Sequence, residues 1–263
     1  MQKLKKILII AGSDPSGGAG IQADIKTACA HQVYSSSVIT CLTAQNTQKV
    51  VTIHTPPISF LRTQIETLLD DINFDVIKIG MLGTSQVIHC IADILDKRIP
   101  LVLDTVMIST SGDSLLRKSA VDALKSRLIS SSYLVTPNID EAEILADMKI
   151  GSLEEMQVAA RRIKNLGAKN VLVKGGHLSF ADKNIYNILL DEKDKIHIIT
   201  NKKIGHKNIH GTGCALATSI ACNIAKKIGI IESVRKANDY VYNAIIERLR
   251  IGNGSLVLRH FYK

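Results

Sequence analysis

The sequence has no tryptophan, and only four phenylalanines and six tyrosines among 263 residues. Few flat side chains are therefore available for bases to stack on. This argues against a nucleic-acid partner despite a net charge of +9. The basic residues are dispersed rather than massed, which fits an anionic small-molecule substrate better. No apolar run approaches the ~18 residues of a membrane span, so no membrane partner is expected. The opening "MQKLKKILIIAGSDPSGG" places lysines before apolar residues, as a signal peptide does. Its apolar run Ile7–Ala11 is too short, however, and a Gly/Ser/Asp turn stands where a cleavage site would be. It reads as a first strand of a cytoplasmic protein. C-x-x-C pairs are absent. The five cysteines (Cys29, Cys41, Cys90, Cys214, Cys222) are scattered, which excludes a disulfide framework or zinc site and suits a reducing compartment. There is no Pro/Ser-rich linker, repeat or low-complexity segment, so one domain over residues 1–263 is expected.

What is present is an alternation of short apolar runs with longer amphipathic ones. "LKKILIIAG", "SSVITCLTA", "DVIKIG", "PLVLD", "SYLVTPN" and "NVLVKGG" read as strands. "VVTIHTPP" reads as a short edge strand stopped by prolines, and "YNILLD" with "KIHIIT" as a hairpin. Helices are expected at "AGIQADIKTACAHQ", "SFLRTQIETLLDDI", "TSQVIHCIADILDK", "SAVDALKSRLI", "IDEAEILADM" and "SLEEMQVAARRIKNLG". Two more close the chain, "TGCALATSIACNIAKKIG" and "SVRKANDYVYNAIIERLR". Strands apolar on both faces and separated by helices imply an α/β fold, with a mostly parallel sheet between two helical layers. Ligands then bind beyond the carboxyl ends of the strands, where the polar and glycine-rich turns fall.

Four of those turns carry candidate chemistry. "AGSDPSGGAGIQAD" (11–24) lacks the Lys-Ser of a Walker A loop and is not G-x-G-x-x-G. It can bring backbone against a small flat ligand, with Asp24 bonding that ligand from one side, or be a tight turn with a solvent-facing Asp24. "GTGC" (Gly211, Thr212, Gly213, Cys214) opens a helix whose N–H groups and dipole suit a phosphoryl group. Cys214 there is expected to have a depressed pKa and thiolate character, or else to be a buried capping thiol. Lys202, Lys203 and Lys207 just upstream could attract a nucleotide or form a solvated face. Asn138 and Glu141 in "TPNIDEAE" are either oxygen ligands for a nucleotide's Mg²⁺, directly or through water, or an ordinary capping box. Asp104 ends the neighbouring strand. In "VKGGH", Lys174 can neutralise phosphate charge or be a surface lysine before a turn.

Taken together and in this order, "IAGSDPSGGAGIQADIKT", "AQNT", "KIGML", "DTVM", "TPNIDEAE", "VLVKGGH" and "NIHGTGC" resemble the ribokinase-like superfamily nearly end to end. Within it they resemble the hydroxymethylpyrimidine/phosphomethylpyrimidine kinases of thiamine biosynthesis. Most of that superfamily ends the last motif in Asp, the general base, where this chain has Cys214. The resemblance implies a three-layer ribokinase-like fold and an ATP- and Mg²⁺-dependent kinase. Such a kinase phosphorylates the hydroxymethyl group and then the resulting monophosphate. It implies that Gly12, Asp24 and Gln45 hydrogen-bond the aminopyrimidine, and that Thr43, Met81, Val106 and Cys214 line its pocket. It assigns Gly211–Gly213 to the anion hole, Lys174 to the phosphates, and Asn138 and Glu141 to Mg²⁺ and the phosphates, with Asp104 a further nucleotide-binding carboxylate at the same sheet edge. A homodimer is implied as well. "DTVMISTSGD" departs from many relatives, with Thr110 in a region where they carry Lys, and the lysine-rich "DEKDKIHIITNKKIGHK" is expected to be mobile.

Other readings remain. A pyridoxal kinase of the same superfamily is the nearest, although the Gln45 amide, donor and acceptor together, matches an aminopyrimidine edge better. A cysteine hydrolase would pair Cys214 with His210. A non-catalytic vitamin-binding relative would not need Asn138, Glu141, Lys174 and "GTGC" together.

Overall fold

The computed structural model describes residues 4–107, 118–176, 183–205 and 209–261. Thr110 and Lys207, both singled out above, and the His177 that closes "VKGGH" lie outside them.

Nine strands form one sheet. In chain order they are β1 (Lys6–Ser13), β2 (Tyr34–Gln45), β3 (Val50–His54), β4 (Val76–Ile79), β5 (Leu101–Leu103), β6 (Leu134–Val135), β7 (Asn170–Lys174), β8 (Asn184–Leu190) and β9 (Ile196–Lys202). Across the sheet the order is β3-β2-β1-β4-β5-β6-β7-β8-β9. The pairs from β2 through β7 are parallel, and both margins turn antiparallel. The proline-stopped β3 is the edge strand at one margin, and the β8–β9 hairpin closes the other. Residues 196–202 of the segment expected to be mobile thus form a paired strand.

The period-two alternation of each strand divides the core in two. Leu8, Ile10, Ile77, Ile79, Leu103 and Val173 face one layer. It is built from α2 (Ile58–Asp71), α3 (Ser85–Ile94), α4 (Lys118–Ala123), α5 (Ile139–Ala146) and α6 (Leu153–Lys164). Ile7, Ile9, Ala11, Val76, Val102 and Leu172 face the other, with α1 (Gly20–Ala30), α7 (Thr212–Ala225) and α8 (Ile230–Ile246). Helix α7 packs on the middle of the sheet and is buried at nearly every position from Ala215 to Ala225. Its small residues (Ala215, Ala217, Ser219, Ala221) allow that close approach.

Three features escape the sequence pattern. Strand β2 extends to Gln45. The expected helix at "SAVDALKSRLI" passes from α4 into a π-helical stretch at Leu124–Leu128. A small parallel pair, β10 (Ile209–His210) and β11 (Leu256–Val257), draws the C-terminal segment onto the "GTGC" turn. Among the described residues no helix is long and apolar enough to cross a membrane.

Candidate active site

The two glycine turns meet. Gly211, the N-cap of α7, has φ +83°, and a Cβ there would lie 1.9 Å from the Gly18 carbonyl oxygen. A Cβ on Gly18 would in turn press on the His210 ring at 2.8 Å. Only glycine satisfies both the left-handed backbone and the contact. No side chain caps α7, so the N–H groups of its first turn are left for a ligand or water. Helix α1 also starts here, and the Gly20 amide lies close enough to pull the Cys214 pKa down. Two helix N-termini therefore converge beside the thiol.

The loop between β1 and α1 is organised by Asp14, which sequence reasoning passed over. Its carboxylate accepts from the Ser16 N–H and hydroxyl, the Ala19 N–H and His210 Nε2. Burial works to raise its pKa, but the bonds from His210 and Ser16 outweigh burial and hold it below the ordinary carboxylate value. His210 Nε2 also lies 3.1 Å from the Gln45 amide nitrogen. One ring nitrogen cannot donate to Asp14 and accept from an amide at the same time. The network is satisfied with the Gln45 amide turned over, its oxygen toward His210 and its NH₂ toward the Thr43 hydroxyl. Thr43 itself donates to the Ser13 carbonyl. Gln45 and Thr43 thus stand beside the glycine turn, next to Ser13 and His210. Gly12 is buried beside them, where a Cβ would lie 2.8 Å from Cys41 Sγ and 3.4 Å from Met81 Sδ. Val106 lines a crevice with Gly80, Leu82, Asp104 and Thr105.

Lys174, at the end of β7, is not a surface lysine. Its Nζ donates to Asp104 Oδ1 at 2.9 Å, and a Cβ on Gly213 would lie 3.3 Å from that Nζ. The cation sits against the glycine of the helix start. Burial opposes its charge, but Asp104 and Glu141 overcome this and raise its pKa. Asp104 is buried and also accepts from the Thr136 hydroxyl. Burial pushes it up, Lys174 and Lys78 pull it down further, and it remains a carboxylate.

Asn138 and Glu141 form the capping box of α5, with Asn138 Oδ1 accepting from the Glu141 N–H and Glu141 Oε2 from the Asn138 N–H. Glu141 also accepts from the Thr105 hydroxyl. It is 3% exposed. Burial pushes its pKa up to about 7, against the pull of Lys174. The capping-box reading is therefore the one observed, and the cap stands next to Lys174 and Asp104.

Two expectations are corrected. Cys214 is not an activated thiolate. It keeps part of its surface open, but burial pushes the thiol up to about 12, more than the Lys78 charge lowers it. The helix dipole that the sequence suggested is outweighed by desolvation. With His210 Nε2 shared by Asp14 and Gln45, and the thiol neutral, the cysteine-hydrolase pairing has no support. Asp24 is neither solvent-facing nor open to a ligand. It is 0% exposed, and its two oxygens accept from Lys78 Nζ and the Thr218 hydroxyl, each at 2.7 Å. Lys78 was not singled out from the sequence. A signal existed: a lysine inside "DVIKIG", on a strand with no solvent face, has to be buried and paired.

Comparison with known proteins agrees with this geometry. The phosphomethylpyrimidine kinase family matches residues 14–259. The chain is 39% identical over 264 residues to the hydroxymethylpyrimidine/phosphomethylpyrimidine kinase of Haemophilus influenzae, covering 99% of this chain and 98% of that one. It is 43% identical over 256 residues to the thiamine biosynthesis bifunctional protein ThiED of Geobacter sulfurreducens. That match covers 97% of this chain, which spans about half (52%) of the bifunctional protein. Among solved structures, the phosphomethylpyrimidine kinase of Clostridium difficile superposes with TM-score 0.80 at 39% identity, covering 92% of this chain and 99% of that one. The pyridoxal kinase of Staphylococcus aureus, in complex with AMP-PCP and pyridoxal, gives TM-score 0.89 at 29% identity, covering 98% and 93%. The backbone thus lies nearer the pyridoxal kinase and the side chains nearer the pyrimidine kinases. The family match takes in the first glycine turn from Asp14 onward and all of the second, and the chain belongs to the phosphomethylpyrimidine kinase family.

Proposed function

We propose that residues 1–263 form one kinase domain that uses ATP to phosphorylate 4-amino-5-hydroxymethyl-2-methylpyrimidine and then its monophosphate. The observation that carries this reading is the convergence of an uncapped, glycine-started α7 with the Lys174–Asp104 pair at one sheet edge. Phosphoryl transfer needs positioning and charge stabilisation more than covalent chemistry, and this arrangement supplies both.

Each residue then has a task. The first-turn amides of Gly211–Gly213 receive the transferring phosphoryl oxygens. Lys174, aligned by Asp104, neutralises the charge that builds on them. Asp104 therefore acts on the nucleotide through Lys174. Gln45 and Thr43 read the aminopyrimidine edge, while Gly12, Met81, Val106 and Cys214 shape its walls. Asp24 supports that wall from beneath. Cys214, a neutral thiol in the free protein, stands beside the acceptor. It has the smaller task in the second step, where the acceptor is already an anionic phosphate.

Asn138 and Glu141 offer oxygen donors only, which suits Mg²⁺. Both Glu141 oxygens already accept hydrogen bonds, so Glu141 would hold the ion through water. The ion would supply charge neutralisation between the phosphates. Five free cysteines fit a cytoplasmic location. A homodimer is part of the same reading, with Val51 and Ile53 of edge strand β3 left exposed.

The test is product mass after incubation with MgATP and hydroxymethylpyrimidine. Masses of the mono- and then the diphosphate are expected, and recovery of unmodified pyrimidine at full incubation would refute the proposal. Pyridoxal remains the second reading because the backbone lies nearer a pyridoxal kinase.

A further inference from the structure

Beneath the first turn of α7 lies a fully buried ion pair, Lys78–Asp24, whose lysine has no task so far. Lys78 comes from β4, flanked by β1 and β5 in the middle of the sheet. Its side chain and that of Asp24 are both 0% exposed, with Nζ 2.7 Å from Asp24 Oδ2. The other oxygen, Oδ1, accepts from the Thr218 hydroxyl at 2.7 Å. Thr218 stands four residues beyond Cys214 on α7, directly below it by helical spacing. Gly80 leaves room for the ammonium, since a Cβ there would lie 2.9 Å from Nζ. One cluster thus joins β4, α1 and α7 under the turn that carries the anion-hole amides.

Burial opposes charge on both partners, but a 2.7 Å contact completed by a hydroxyl donor fits the ionised pair, and Asp24 holds Lys78 protonated above its ordinary value. Such a pair is seldom retained for stability, because apolar residues of similar volume do as well or better. Lys78 also faces Cys214 and Asp104, and both feel its charge. Around the Cys214 sulfur the charged groups are Lys78 from β4, Asp24 from α1, Asp104 beyond β5 and Lys174 from β7. Two cations and two anions balance, so any negative charge arriving there leans on the lysines.

We propose that Lys78 is a positioning residue for phosphoryl transfer. Through Asp24 and Thr218 it fixes the first turn of α7, and its ammonium is the buried counter-charge for negative charge developing at Cys214 and the acceptor. This rests on the reading of "GTGC" as the phosphoryl end of the site, so its test is made on the thiol of the free full-length protein, independent of any substrate.

The measurement is the rate of Cys214 alkylation by iodoacetamide at about pH 9, located by tandem mass spectrometry, with exposed Cys29 as the internal reference. Asp24→Asn leaves the Lys78 charge in place without its partner. Cys214 is then expected to alkylate about tenfold faster, a shift of about one pH unit in thiolate fraction. Lys78→Met combined with Asp24→Leu removes both charges without leaving one unpaired, and alkylation is expected to slow at least about threefold. A merely structural role would loosen the site and speed alkylation in both variants. Opposite directions support the proposal; the same direction, or rates equal to wild type, overturn it. In the double variant kcat for the monophosphate is also expected to fall about tenfold or more with KM for ATP nearly unchanged. An unchanged kcat would remove the positioning role.

Discussion

Lys174 carries a full charge inside the protein because Asp104 accepts from it at 2.9 Å, and it lies against Gly213 at the start of α7. In the proposed reading a cation so placed acts on charge that develops during transfer rather than on resting substrate. Lys174→Met should therefore lower kcat by about 10²–10³ while the pyrimidine KM changes little. Steady-state kinetics on protein of unchanged circular dichroism checks this, and a pure KM effect would contradict it. Gly211→Ala should be a folding defect first. Its φ of +83° and the 1.9 Å approach to Gly18 oxygen demand a shift of one turn against the other. A loss of about 2–3 kcal/mol is expected, read from urea unfolding, since strain at a special backbone angle adds to the contact. At this scale the sequence showed which residue types gather, but not their charge states. The sequence left Cys214 open between a thiolate and a buried thiol and did not foresee a buried, ion-paired Asp24, because desolvation and partners from β4 and α7 decide them and neither is visible from neighbours in the chain.

Helix α5 shows how one element serves fold and site together. Its capping box is legible as Asn-x-x-Glu, and the structure forms both bonds. Asn138→Ala should lower stability by about 1 kcal/mol through the lost cap, and should weaken MgATP binding as Glu141 loses its alignment. Thermal unfolding with and without MgATP separates the two effects, and the ligand-induced rise in Tm should shrink. The C-terminal segment was illegible because a two-residue strand has no periodicity of its own. β11 exists because β10 and the Thr47 loop receive it: the Ser255 N–H donates to the Thr47 carbonyl and the Gly254 N–H to its hydroxyl. Beyond it His260 packs between α1 and α8, with Nδ1 3.1 Å from the Tyr240 hydroxyl and 3.3 Å from Thr27. Burial, helped by the Lys26 charge, pulls its pKa down from 6.5 to about 4. The native state therefore favours neutral His260. Its contribution is complete above pH 6.5 and is lost as pH falls through 4, at most about 3 kcal/mol. Unfolding between pH 7 and pH 4 should be less acid-sensitive in His260→Gln than in wild type, and parallel curves would show the residue is not responsible.

Across the whole molecule, the alternation within each strand decided the architecture. Ile7 and Ile9 face the layer with α7, Leu8 and Ile10 the layer with α2 and α3, and a sheet covered on both sides follows. That much was legible from apolar runs and the helices between them. The strand order was not, because pairing of β1 with β4 depends on crossovers that leave no local mark. The site was legible for the same reason as the layers: the polar turns fall at the carboxyl ends of parallel strands, and the fold brings those ends to one edge. In the proposed reading substrate choice within that edge rests on Gln45 and Thr43, and the structure holds their amide and hydroxyl in a network with His210 and Asp14. The most direct test is an ADP-coupled assay that compares kcat/KM for hydroxymethylpyrimidine, its monophosphate and pyridoxal at fixed MgATP. Turnover of both pyrimidines with kcat/KM at least about tenfold above pyridoxal is expected from a site built around an amide–aminopyrimidine match. A clear preference for pyridoxal, or no ADP release with either pyrimidine, would contradict the account.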